Sequence, residues 1–234
     1  SLPKRKQIIK DIEVNQIVKM MNGTRFVAHY PYEMNDTHTF LPFFYATQTL
    51  KAPFPDCSNH KEINCSFNGK LRPYQKIIKK EVIRKLNKDH CAVLAAYTGC
   101  GKTAISIYIA SKIKVKTLIV ISRLVLIEQW VASISKFLPS AIIQVLKTKT
   151  KIKPEADFLV MNALNIPKRG FDAFKDVGFL IVDEVHLIAT KILSQALSYV
   201  TPNFTLALSA TPTRSDGMDK IIHLYYGKDI IYKK

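Results

Sequence analysis

Six short apolar runs, separated by segments of helix length, constrain this chain more than any other feature. They are CAVLAA (91–96), TLIVIS (117–122), IIQVL (142–146), DFLVM (157–161), GFLIVD (178–183) and FTLALS (204–209). Each is aliphatic throughout rather than alternating, the pattern of strands buried on both faces. Between them GKTAISIYIASKI (101–113), SRLVLIEQWVASISKFL (122–138) and HLIATKILSQALSYV (186–200) have the length of helices. In the second, Leu124, Ile127, Val131, Ile134 and Leu138 form one stripe, with Ser122 as N-cap. Upstream, RPYQKIIKKEVIRKLNKD (72–89) sets Ile77, Val82 and Leu86 near one helical face, lysines opposite. Strand–helix alternation predicts an α/β fold with a doubly wound parallel sheet, which binds its ligands at the carboxyl ends of the strands.

The regular text begins at about residue 67. Residues 1–66 are rich in Pro, Asn, Tyr and Phe, and their prolines exclude a long helix. Only KQIIKDIEVNQIVKMM (6–21) has regular periodicity, and helix and strand both fit it. The expected organisation is a small α+β accessory domain over 1–66 and a larger α/β unit over 67–234.

Charge and cysteine usage narrow the function classes. The 234 residues carry a net charge of +17, spread along the chain, which suits a polyanionic partner presented with a folded basic face. A solvated lysine-rich surface is the plain alternative. No apolar run is long enough to span a bilayer, and SLPKRKQIIK lacks the apolar core of a secretory signal. Four cysteines without such a signal point to an intracellular, reducing compartment and to no membrane partner.

The stretch AYTGCGKT (96–103) carries the first chemistry. It fits the phosphate-loop pattern, with Ala96 at the usual first glycine. Gly99 and Gly101 let backbone N–H groups turn toward a phosphate, together with Thr98 and Cys100 of the same loop. A helix starting near Lys102 adds its positive end. Lys102 then reaches the β- and γ-phosphates of ATP, and Thr103 offers its hydroxyl to Mg²⁺. The run GFLIVDEVHLI (178–188) supplies the second. Adjacent carboxylates at the end of a buried strand need a partner, because unpaired buried charge costs several kcal/mol. Asp183 is expected to hold Mg²⁺ and Glu184 to orient and deprotonate a water. An N-cap with a first-turn acid explains the pair by itself, but not beside a phosphate loop.

These residues resemble a known family, the superfamily 2 helicases and translocases with a DExH box. DEVH (183–186) resembles the box, and SAT (Ser209, Ala210, Thr211) the motif that, with His186, couples nucleotide state to nucleic-acid binding. LRPYQ (71–75) resembles the motif, here Arg72 and Gln75, in which a glutamine reads the adenine edge; Gln has the geometry to pair with adenine N6 and N7. TPTRSDG (211–217) is similar to the branch of the XPB-type translocases, and to the transcript-release helicases of large cytoplasmic DNA viruses of poxvirus and asfarvirus type. The resemblance covers residues 67–234. It implies a RecA-like first helicase lobe, ATP and Mg²⁺ as cofactors, duplex or single-stranded DNA and the transcription machinery as partners, a monomer, and the host cytoplasm if the chain is viral.

The chain departs from that family's pattern in places. Ser122-Arg123 stands where Pro-Thr is common, and Arg123 remains suited to phosphate. Asn162 stands where Thr is common and is expected to bond a phosphate. Lys147 and Lys149 suit a strand-binding loop, or a solvated one. The family needs a second lobe with an arginine finger, and only about twenty residues follow the last motif, so the expectation is an N-terminal piece of a longer motor, weakly active or inactive by itself. Two other readings stay open: a DNA-docking module with little catalysis, and a phosphate-loop ATPase acting on proteins. Cys57, His60 and Cys65, with His29 or His38 as a fourth partner, have a spacing related to zinc sites without matching a standard finger.

Overall fold

The computed structural model describes residues 2–55, 58, 60–190, 194–211 and 213–233. The stretch that fits both helix and strand is both. α1 (Leu2–Ile12) ends just before an antiparallel hairpin, β1 (Val14–Met20) with β2 (Gly23–His29). A two-residue hairpin, β3 (Glu33–Met34) with β4 (Thr39–Phe40), and one π-helical turn at Tyr45–Thr49 follow.

The regular part opens with α2 (Pro73–Asp89). Pro73 takes the first position, where a missing N–H is harmless and its fixed φ suits a helix. Its buried side is Gln75, Ile78, Val82 and Leu86. Ile77 is 59% exposed, against expectation: five residues before Val82 is about 140° around a helix, and the neighbouring Ile78 takes the inward place.

The remaining elements are β5 (Cys91–Ala96), α3 (Lys102–Ile113), β6 (Thr117–Ile121), α4 (Val125–Phe137), β7 (Ile143–Leu146), β8 (Phe158–Asn162), β9 (Phe179–Val182), α5 (Val185–Ile188), β10 (Phe204–Ser209), α6 (Asp219–Tyr226) and β11 (Ile230–Lys233). All six apolar runs are strands. With β11, which the sequence reading did not single out, they make one parallel sheet in the order β11-β5-β10-β9-β6-β8-β7.

Two expectations about helices change. α4 starts at Val125 and has no side-chain cap; Ser122 lies before it and its buried hydroxyl has no hydrogen-bond partner. The stripe therefore begins at Ile127, since Leu124 is 67% exposed, and it includes Trp130. The 186–200 segment, among the described residues, holds the short α5, the helical residues 194–195 and a 3₁₀ turn at Ala196–Tyr199.

Each strand sends alternate residues to opposite faces, so the sheet has two cores. Ala92, Leu94, Ile119 and Ile121 pack with α2, α3 and α4. Cys91, Val93, Leu118 and Val120 pack with α6 and the 3₁₀ turn at Ala196–Tyr199, and with Ile12, Val14 and Tyr45 of the N-terminal segment. That segment therefore helps to cover one face of the sheet. Among the described residues, no helix is long and apolar enough to cross a membrane.

Candidate active site

Strand order decides which loops meet. β5, β10, β9 and β6 are successive neighbours, so the segments that leave their carboxyl ends emerge side by side. These segments are 97–101, 210–217, 183–187 and 122–124. One cleft of about 630 Å³ is lined by Thr98, Gly99, Gly101, Lys102, Thr103, Arg123, Asp183, Glu184, His186, Ala210 and Thr211. Its size is ordinary for a site that takes a small molecule.

The loop after β5 turns through two left-handed glycines, Gly99 at φ 88° and Gly101 at φ 86°. A Cβ on Gly101 would lie 2.3 Å from Gln75 Nε2, so glycine is needed there for space as well as for φ. Gln75 is 6% exposed. Its Oε1 accepts from the Arg72 backbone N–H at 2.9 Å, and its Nε2 donates to the Cys100 carbonyl at 3.0 Å. Tyr74 Oη donates to the same carbonyl at 3.1 Å. The glutamine thus braces the loop from below, and Cys100 is fully buried rather than facing the cleft. Arg72 is exposed, with Nη1 3.2 Å from Tyr74 Oη. Lys102 begins α3 and folds back, its Nζ 2.7 Å from the Ala96 carbonyl, which leaves the mouth of the loop clear.

β9 delivers the acid pair. Asp183 Oδ2 accepts from the Trp130 indole at 2.7 Å and Oδ1 from the Glu184 N–H at 3.0 Å. Burial, and less strongly the neighbouring Glu184, raise the Asp183 pKa, while the Trp130 and Glu184 donors oppose the rise. Glu184 holds a left-handed backbone at φ 48°, an uncommon conformation for a residue with a Cβ. Its buried Oε2 lies 3.3 Å from His186 Nδ1 but makes no aligned hydrogen bond. His186 Nδ1 is 2.9 Å from Ser209 Oγ, which also accepts the Thr211 N–H at 3.0 Å. Burial lowers the His186 pKa, Arg214 and Arg123 add to that, and Glu184 opposes it. These surroundings favour the neutral imidazole.

Arg214 was not among the expected site residues. Its guanidinium donates to the His186 carbonyl and grips both oxygens of Asp216, at 2.9 and 2.7 Å. Asp216 accepts from Gln16 Nε2 at 3.3 Å, and its backbone carbonyl accepts the Ile17 N–H at 2.9 Å. The acid box is thereby tied to the β1–β2 hairpin. The Arg214 hydrogen bond holds the Asp216 carboxyl down at about 2. Only the pattern TPTRSDG marked this place in the sequence, without saying what its Arg and Asp grip. Trp130 carried no signal in the sequence, where the stripe on this helix was read as Leu124, Ile127, Val131, Ile134 and Leu138.

The donor set fits a nucleotide with Mg²⁺: the Thr103 hydroxyl and Asp183 carboxylate are hard oxygens, Glu184 has an oxygen to spare, and the space over Gly99 is open. Other expected residues lie elsewhere. Asn162 is 6% exposed and bonded at both ends of its amide, its Nδ2 donating to the Ser122 carbonyl and its Oδ1 accepting from the Leu164 N–H, each at 3.0 Å. It is a structural clamp between β8 and the segment after β6, and its amide is not presented to a phosphate. Lys147 and Lys149 lie in the turn after β7, the far edge strand, outside the cleft. Of the zinc candidates, Cys57 lies outside the described residues, and Cys65 is buried with its Sγ 3.7 Å from Asp157. His29 sits 2.9 Å from Gln16 Oε1 and His38 2.7 Å from Thr37 Oγ1. Among the described residues no three His, Cys, Asp or Glu side chains form a metal-binding group.

Comparison with known proteins agrees with this geometry. The family described as "Type III restriction enzyme, res subunit" matches residues 68–214. "Putative helicase 161L" of Invertebrate iridescent virus 6 is 36% identical over 86% of this chain and 46% of its own length. "Putative helicase 109L" of Invertebrate iridescent virus 3 is 32% identical over 97% of this chain and 74% of its own. A "DNA 3'-5' translocase XPB2" of Sulfurisphaera tokodaii is 31% identical over 70% of this chain and 36% of its own. This chain thus spans less than half of the first of these relatives and about a third of the last. Among solved structures, the UvsW helicase of bacteriophage T4 is similar over 100% of this chain and 94% of that chain, with a TM-score of 0.63 at 16% identity. The SWI2/SNF2 ATPase core of Sulfolobus solfataricus, solved with dsDNA, covers 72% of this chain and 38% of that one, with a TM-score of 0.59 at 24% identity. At these identities the structures show the fold, a RecA-like lobe.

Proposed function

The chain belongs to the type III restriction enzyme res-subunit family of helicases and translocases, and on that premise we propose that it carries the nucleotide-binding lobe of an ATP-dependent motor acting on DNA. The carrying observation is the single cleft that gathers the phosphate loop, the acid pair, the Ser209 segment and Arg123. Bound ATP with Mg²⁺ supplies the phosphoryl electrophile and the charge that offsets it. Gly99 and Gly101 give the loop its turn, and Lys102, now on the Ala96 carbonyl, would turn to the phosphates of a bound nucleotide. Thr103 and Asp183 would hold the ion. Glu184, the carboxylate with an unbonded oxygen, would orient a water toward the terminal phosphorus and take its proton as the bond from that phosphorus to the leaving ADP oxygen breaks. Gln75 supports the phosphate loop, and an adenine contact would draw on the second N–H and the second lone pair of its amide. The His186–Ser209 hydrogen bond joins the acid box to the segment after β10, so a change at the phosphates reaches that segment.

DNA is the proposed track for three reasons: the net charge of +17, the exposed Arg123 at the rim of the cleft, and the similarity to a protein named as a DNA translocase. Arg123 is the proposed backbone contact; Lys147 and Lys149 would meet a strand that continues across the sheet edge. The viral relatives make viral transcription or DNA processing the proposed setting, in the host cytoplasm. The test is ATP hydrolysis with and without duplex DNA, for these 234 residues and for a polypeptide extended by a second lobe. The expected result is DNA-stimulated turnover in the extended form and little in the shorter one. An extended form indifferent to DNA and stimulated by RNA would reassign the track, and one indifferent to both would remove the motor reading.

A further inference from the structure

α4 turns into the site one residue that the nucleotide motifs do not account for. Trp130 is the only tryptophan of the chain and is 2% exposed. Its ring belongs to the core formed by Ile105, Ile134, Ile181 and their neighbours on the α2–α3–α4 face of the sheet. A buried indole N–H needs an acceptor. Here the acceptor is not a backbone carbonyl but Asp183 Oδ2, at 2.7 Å. The other oxygen of that carboxylate accepts the Glu184 N–H at 3.0 Å. Both donors are rigid, one a ring wedged in the core and the other a backbone amide. An aspartate has two side-chain torsions, and two fixed donors on opposite oxygens remove that freedom. The lone pairs that remain serve the cleft, which Asp183 lines together with Thr103 and Lys102.

We propose that Trp130 is a positioning residue for Asp183: its indole N–H fixes the carboxylate in the orientation that holds the nucleotide's Mg²⁺, and its fluorescence reports that event. The proposal rests on the nucleotide-lobe reading above. It goes further in assigning part of the metal affinity to a residue that touches neither nucleotide nor ion. Partners that orient a metal ligand from behind typically contribute tenfold or more to affinity for the ion. The plain alternative is that Trp130 only fills space and its hydrogen bond is incidental. Trp130→Phe separates the two, since it keeps an aromatic ring and removes the donor.

Two measurements on the 234-residue chain decide it. In the first, binding of a non-hydrolysable ATP analogue is followed by equilibrium dialysis with and without Mg²⁺, and tryptophan emission is recorded on the same samples. The expected result is an emission change that requires Mg²⁺ and nucleotide together and is absent with nucleotide alone. Emission that ignores Mg²⁺ while dialysis shows Mg²⁺-dependent binding overturns the proposal. No binding by dialysis, in this chain or in the form extended by a second lobe, would instead overturn the nucleotide-lobe reading. In the second, Trp130→Phe is titrated with Mg²⁺, and with Mn²⁺ detected by electron paramagnetic resonance. The half-saturating metal concentration is expected to rise about tenfold, with metal-free nucleotide affinity unchanged. An unchanged half-saturation, or equal losses with and without metal, assigns the ring to packing alone. If circular dichroism shows that the variant does not fold, the emission experiment on the unmodified chain decides by itself.

Discussion

Glu184 joins a left-handed backbone to a buried, unbonded carboxylate oxygen. Strain of this kind persists only where surrounding structure fixes it, and here β9 before it and α5 after it do so. Glu184→Gln keeps size and polarity, so nucleotide binding is expected to be spared while turnover falls by 10²-fold or more; a binding assay beside single-turnover hydrolysis checks both. Lys102→Ala should instead weaken nucleotide binding itself, read as a raised dissociation constant. His186 gives a pH prediction. Its folded pKa lies below that of the unfolded chain, so the unfolded state binds the proton first. The stability it contributes is present above about pH 6.5 and is lost as pH falls through the lower folded pKa. His186→Gln should flatten that part of a plot of Tm against pH below about 6.5. Glu184, Lys102 and His186 stood out in the sequence because phosphate and metal chemistry would demand particular side chains at fixed spacing. Trp130 was not legible, because apolar periodicity explains a tryptophan on α4 completely and says nothing about where its N–H points.

At the scale of elements, the phosphate loop and α2 are one assembly. Gln75 bonds the Cys100 carbonyl, and Gly101 leaves room for the glutamine amide. Gly101→Ala adds a Cβ at positive φ within 2.3 Å of Gln75 Nε2. It is expected to destabilise the chain by about 1–3 kcal/mol and to lower nucleotide affinity, since the loop or the glutamine must move; denaturant melts with a nucleotide titration check it. The second joint is Arg214–Asp216, which links the β1–β2 hairpin to the acid box. Asp216 has a folded pKa of about 2, below its unfolded value, so its stabilisation is complete above about pH 4 and is lost as pH falls through about 2. Asp216→Asn should remove that acid-side slope. Arg214→Ala should cost about 1–3 kcal/mol by leaving a part-buried carboxylate unpaired, and should raise hydrogen exchange in the hairpin. Both joints connect segments far apart in the chain, and a spacing rule cannot report such a partner.

For the whole molecule, the net charge of +17 predicts salt-dependent attachment to nucleic acid. Binding of duplex DNA, followed by fluorescence anisotropy, should weaken steeply and log-linearly from 50 to 200 mM salt. A nucleotide-dependent offset between two such lines is the mark of a motor, and parallel, superimposed lines are the mark of a passive dock. The N-terminal segment belongs to this scale. Its Ile12, Val14 and Tyr45 complete the core on one sheet face, so removing residues 1–50 is expected to expose that core and abolish soluble expression of the remaining residues 51–234.

By itself the sequence determined the doubly wound parallel sheet, the glycine-containing loop between β5 and α3, the acid pair at the end of β9, and the resemblance to the helicase and translocase family to which the chain belongs. Those features are local: a strand buried on both faces must be aliphatic along its length, and a phosphate cradle must place small residues and a lysine at set positions. Tertiary structure alone decided the strand order that gathers four loops into one cleft. It also decided that Asn162 clamps β8 to the segment after β6, that Arg214 binds the acid box to the hairpin, and that Trp130 holds Asp183. Each of those depends on where a side chain meets a residue tens of positions away, and such meetings are fixed by packing and by hydrogen-bond satisfaction in the folded interior, not by neighbours along the chain.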